Sequence, residues 1–109
     1  YLLLNIYNGG FMEKKILLDK SYILIENVRD AYIEEEVIKR FTDYFLPYDY
    51  VLGDWAYGKL RLKGFNNKDN LNFKEINDFN KVDDYLQNYC AKECKYFILQ
   101  KESDESIES

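Results

Sequence analysis

The stretch from Tyr48 to Phe65, YDYVLGDWAYGKLRLKGF, holds most of the residues in this chain whose types and spacing could do chemistry. Read as one extended run from Trp55, the two-residue period of a strand puts Trp55, Tyr57, Lys59, Arg61, Lys63 and Phe65 on one face. Ala56, Gly58, Leu60, Leu62 and Gly64 fall on the other, a small-and-leucine surface of the kind a sheet presents where a helix approaches closely. Permanent cations interleaved with rings are what single-stranded nucleic acid uses, with bases stacked on the rings and phosphates met by the cations. Trp55, Tyr57, Lys59, Arg61 and Lys63 are therefore the nominated binding residues, and the partner is a protein or a single-stranded RNA. A plainer reading competes: lysine and arginine alternating with leucine keep any half-exposed strand soluble, and these charges could pair with Asp49 and Asp54 across a hairpin.

An enzymatic alternative uses the same stretch. Asp49 and Asp54 could hold magnesium while Lys59 positions the attacking water, as in a metal-dependent phosphodiester hydrolase. The persuasive spacing for that chemistry, an acid two residues before a lysine on one strand, is missing at Lys59 and at Lys63. No catalytic residue, metal ligand or cofactor is assigned, and a binding module without a reaction of its own is the first reading.

Cys90 and Cys94 would share a face on a continuing helix, but two thiolates cannot complete a four-ligand zinc site and the chain has no histidine. Their spacing is not that of a CxxC redox motif. Small apolar packing at a helix end is the expectation, with a redox-sensitive pair as the alternative. The missing histidine also removes the commonest general base.

The whole chain, 109 residues with 47% hydrophobic and 32% charged, is enough for one modest core and too apolar for a disordered polymer. Its net charge of −5 leaves no overall basic surface for duplex DNA. Much of that acidity sits at 102–109, where Glu102, Asp104, Glu105 and Glu108 accompany three serines and no base. This is expected to be a disordered tail, and without it 15 bases face 16 acids. No apolar run approaches the roughly 20 residues of a membrane-spanning helix, so a cytoplasmic protein without membrane contact is expected.

At the other end, Gly9-Gly10 can encode a purine-rich tract shortly before the Met12 codon. Met12 then reads as a translation start and 1–11 as a non-native extension; the competing reading makes Leu2 to Ile6 a strand. The domain proper is assigned to 12–101.

Within it, Lys14 to Asp19 and Tyr22 to Glu26 read as a hairpin turning at Asp19-Lys20-Ser21. Ile33, Val37, Phe41 and Phe45 recur at helical spacing, with Ile38 and Tyr44 flanking the stripe, and Pro47 ends that helix. Tyr48 to Leu52 and Tyr57 to Phe65 are expected to pair as strands around a turn or bulge at Gly53-Asp54. A second helix is expected after Asn80 as N-cap, with Val82, Tyr85, Leu86, Tyr89 and Cys90 on one stripe. Tyr96 to Leu99 is apolar on both faces and so belongs inside the sheet. The fold class that follows is α+β: a single small domain with a mixed sheet of about five strands and two helices packed on it.

The GDWAYGKLRLKGF run from Gly53, followed by Asp84-Tyr85-Leu86, Tyr89-Cys90, Cys94 and Tyr96-Phe97, resembles the YutD-like family of small proteins from low-GC Gram-positive bacteria. The likeness spans roughly Ile33 to Leu99. It implies a compact cytoplasmic α/β domain, places the charged strand and the cysteine pair within the family pattern, and leaves 1–11 and the acidic tail outside it. It implies no reaction, and no functional residue is carried over from it.

Overall fold

In the computed structural model, residues 13–89 and 94–102 are described. The Leu2 to Ile6 and Met12 readings, Cys90, and the tail beyond Glu102 lie outside them. Strand β1 (Glu13–Leu17) and β2 (Lys20–Val28) form the expected first hairpin. Its turn is the pair Leu18-Asp19, both at positive φ, rather than Asp19-Lys20-Ser21. Helix α1 (Glu34–Arg40) follows, carrying acids in its first turn and Lys39 and Arg40 in its last, each favourable to the helix dipole. The helix stops well before Pro47, because Phe41 is extended and the Thr42 hydroxyl accepts from the Tyr44 amide to start a separate 3-10 turn, Asp43–Phe45. Ile38 and Tyr44, on the flanks of the helical stripe, are accordingly exposed.

Strands β3 (Tyr50–Ala56) and β4 (Lys59–Phe65) make the second hairpin, and β5 (Tyr96–Lys101) closes the sheet in the order β1-β2-β5-β3-β4. β5 is internal, as its two apolar faces require. Among the described residues every strand pair is antiparallel, so the sheet they form is not mixed; a parallel bridge, Asn66 with Asp78, lies outside the strands. Two 3-10 turns, Glu75–Asn77 and Phe79–Lys81, lead into helix α2 (Val82–Tyr89). Asp78 caps the second of these turns, its carboxylate accepting from the Asn80 amide, so Asn80, expected as the helix N-cap, lies inside that turn.

Alternation along β5 divides the core between two faces. Phe97 and Leu99 join Val51, Leu60, Tyr22, Leu17 and Val37 of α1 on one. Ile98 and Tyr96 join Tyr50, Leu52, Phe65 and the Val82, Tyr85 and Leu86 side chains of α2 on the other. The two helices thus sandwich the sheet, and burying each such apolar side chain contributes about 1.5–3 kcal/mol.

Candidate functional site

The β3–β4 hairpin turns at Tyr57-Gly58, with φ of +55° and +75°, so the stretch expected to be one strand from Trp55 is two. Cross-strand partners share a face. Ala56 opposes Lys59, Asp54 opposes Arg61 and Leu52 opposes Lys63, whereas Trp55 opposes Leu60. Lys59, Arg61, Lys63 and Phe65 share one side as expected. Trp55 is corrected to the opposite side, and Tyr57 to the turn itself, because the reversal interrupts the two-residue period. The leucine side does meet a helix: Leu60 and Leu62 pack in the core cluster that contains Val37 of α1.

Each nominated side chain then has a distinct environment. Trp55 is half-buried; its Nε1–H donates to the Ala31 carbonyl at 2.8 Å, its amide to the Lys95 carbonyl at 3.3 Å, and the Lys95 ammonium lies 4.9 Å from its ring centroid. Arg61 clamps Asp54 with two bonds of 2.9 and 2.7 Å and donates a third to the Tyr89 carbonyl at the end of α2. Asp54 is 1% exposed, and its hydrogen bond and charge hold the Arg61 guanidinium above its ordinary value. Lys63 sits over the rings of Phe65 and of Tyr85 on α2, at 5.2 and 5.7 Å. Lys59 is exposed and makes no ion pair among the described residues. Tyr57 is fully exposed.

The pairing of charge across the hairpin is therefore the arrangement at Arg61. A continuous outward face of cations and rings is not formed, since α2 lies against Lys63 and Asp54 neutralises Arg61. Asp49, just before β3, and Asp54, within it, are five residues apart, roughly 16 Å at a strand's rise per residue, and do not converge on one point. Asp49 instead accepts from the Asn67 amide and from Asn70 Nδ2. Among the described residues no cluster of three acids or cysteines could hold a metal. Cys94 is disulfide-bonded rather than packed as a small apolar side chain; Cys90 and the expected continuation of the helix through 90–93 lie outside the described residues.

Two residues outside the nominated binding set complete the frame. Asn66, fully buried, accepts from the Asp49 amide and Asn70 Nδ2 and donates to the Asn72 carbonyl, pinning the polar loop after β4 to the start of β3. Gly53 lies beneath the Phe97 ring, where an added Cβ would come within 2.2 Å of a ring carbon. The signal available for the first is a run of asparagines after a strand, which side-chain-to-backbone bonding turns into ordered loops.

Fold and site together define a one-domain α+β protein whose charged strand is built into its own packing and whose free aromatic stands on a hairpin tip. Residues 17–100 match the family described as "Putative antitoxin YutD-like". The chain belongs to this YutD-like family. It is 35% identical over 86 residues to the "Putative antitoxin YutD" of Bacillus subtilis (strain 168), covering 79% of this chain and 94% of that protein. It also superposes on the solution NMR structure of protein yutD from B. subtilis with a TM-score of 0.69 at 32% identity, covering 89% of each chain. Among the described residues no helix is long and apolar enough to cross a membrane.

Proposed function

We propose that this chain is a regulatory module without a reaction of its own, acting in the cytoplasm by binding a partner protein through the tip of the β3–β4 hairpin. Tyr57 carries the reading. It is a non-glycine residue at φ +55° in a two-residue turn, a position where asparagine or aspartate is preferred. The left-handed conformation costs about 1–2 kcal/mol, and the ring gains nothing in return from its own chain, being fully exposed. Strain kept together with an unused aromatic points outward to a contact, and tyrosine is enriched among residues that dominate binding energy. Lys59 beside it is exposed and without an ion pair among the described residues, and supplies a charge. Trp55, Arg61 and Lys63 are positioning residues on this reading: Trp55 ties the hairpin to Ala31, while Arg61 and Lys63 hold β4 against α2.

A protein is favoured over RNA because a phosphate track needs several free cations in a row, and Arg61 and Lys63 are engaged. The family description as an antitoxin fits a module that acts by holding another molecule. The test is a photocrosslinking amino acid at position 57 in growing cells, with the same group at exposed Asn67 as control. One dominant protein adduct from position 57 and none from 67 is expected. RNA adducts, or the same adducts from both positions, would overturn the reading.

A further inference from the structure

The segment before β3 and the loop after β4 enclose a cavity that neither the hairpin tip nor the charged strand uses. Its volume is about 500 Å³, inside the usual range for small-molecule sites of about 300–1,000 Å³. Tyr44, Pro47 and Tyr48 line it from the first segment, and Leu71, Phe73 and Asn77 from the second. Both segments are already held in place. The Tyr48 ring lies on the Gly64 backbone, where an added Cβ would come within 2.3 Å of it. Asn70 Nδ2 donates to the Pro47 carbonyl at 3.3 Å, and the Asn66 amide donates to the Asn77 carbonyl at 2.7 Å. Asn77 is the residue that points to a ligand. It is only 7% exposed; its Oδ1 accepts from the Lys74 amide at 2.9 Å, while its Nδ2 donates to nothing among the described residues. A donor so placed takes its acceptor from whatever occupies the cavity.

The remaining polar groups select the chemistry of that occupant. The Tyr48 hydroxyl donates to the Tyr44 hydroxyl at 3.3 Å, which leaves the Tyr44 proton to donate in turn. Lys74, also on the lining, is exposed and makes no ion pair among the described residues. These donors and the ammonium call for acceptors and negative charge, and the rings of Tyr44, Tyr48 and Phe73 call for a planar partner. Asp43 lines the cavity from the first segment and accepts from hydroxyls. We propose that this cavity binds a free nucleoside monophosphate whose base carries oxo groups, as uracil does. The base lies against the rings with its carbonyls accepting from Asn77 Nδ2 and the Tyr44 hydroxyl, the ribose hydroxyls donate to Asp43, and the phosphate meets Lys74. Adenine has no carbonyl, and its exocyclic amine would set a donor against donors. A single lining cation suits one phosphate, whereas a strand needs a run of them.

Titrating uridine monophosphate into the full chain, followed by NMR, tests this. The Asn77 side-chain amide and the Phe73 ring signals should shift saturably, and uridine should bind more weakly than the nucleotide. Asn77→Asp keeps an acceptor for the Lys74 amide but removes the donor, and should weaken binding about tenfold or more, read from Phe73. Lys74→Gln, at an exposed position, should bring the nucleotide down to the affinity of uridine with the melting temperature unchanged. Five results overturn the proposal: no saturable shift at millimolar nucleotide; the same shifts from inorganic phosphate alone; affinity unchanged in both variants; adenosine monophosphate binding as tightly as uridine monophosphate; or a short oligouridylate binding far more tightly than the mononucleotide, which would make the occupant RNA.

Discussion

Replacing Arg61 with alanine would strand the Asp54 carboxylate inside the sheet. That carboxylate is 1% exposed and receives both of its close hydrogen bonds from Arg61. Breaking a buried pair from one side costs about 3–5 kcal/mol. The Arg61 side chain is itself 45% exposed, so its removal opens a path for water, and the expected cost is smaller, about 2–3 kcal/mol. For a domain of this size that lowers the melting temperature by about 10–20 °C. Asp54→Val combined with Arg61→Val replaces the pair by a β-branched cross-strand contact and should come within about 1 kcal/mol of the wild type. Urea unfolding followed through Trp55, the single tryptophan, measures all three. If Arg61→Ala costs less than about 0.5 kcal/mol, the pair is a screened surface contact. Arg61 would then be free for a ligand, and the assignment of a structural role would fail.

Gly53→Ala should destabilise by about 3 kcal/mol or more, because its Cβ would overlap the fully buried Phe97 ring, which has nowhere to move; calorimetry showing a wild-type melting temperature would refute the close approach. Asn66→Ala removes three hydrogen bonds at a buried site and should cost about 2–3 kcal/mol, with hydrogen exchange rising first in the 66–78 loop. Tyr32 is raised to about 12 from 10.0, by burial first and then by Glu34 and Glu13. The raised folded value means its contribution to stability is whole below pH 10 and lost as pH climbs through 12. Its hydroxyl is buried without a hydrogen-bond partner, so Tyr32→Phe should cost nothing at neutral pH and flatten the alkaline loss in thermal melts; an unchanged slope would contradict this.

Period-two and period-3.6 patterns gave the strands and helices their places, and the apolar Tyr96 to Leu99 run gave the central strand. The turns were harder to read. Leu18-Asp19 and Tyr57-Gly58 put leucine, aspartate and tyrosine in left-handed backbone, where composition alone favours glycine or asparagine. At Gly53-Asp54 the turn-forming residue types sit mid-strand, because Gly53 is needed under Phe97 and Asp54 against Arg61. That displacement moved Trp55 to the other face and dissolved the single cation-and-ring strip. Thr42 shortened α1 by a local side-chain bond, and the 66–81 segment is ordered by asparagine and aspartate contacts that leave no periodic trace.

The central claim is that Tyr57 is kept at a strained turn for its contact with a partner protein. Its most direct test is the affinity of Tyr57→Asn for the protein captured at position 57, measured by titration calorimetry beside a thermal melt of the free chain. Loss of a dominant aromatic contact predicts binding weaker by about tenfold or more, with a melting temperature equal to or above that of the wild type because asparagine suits the left-handed position. Unchanged affinity in a variant that melts at or above the wild type would contradict the claim.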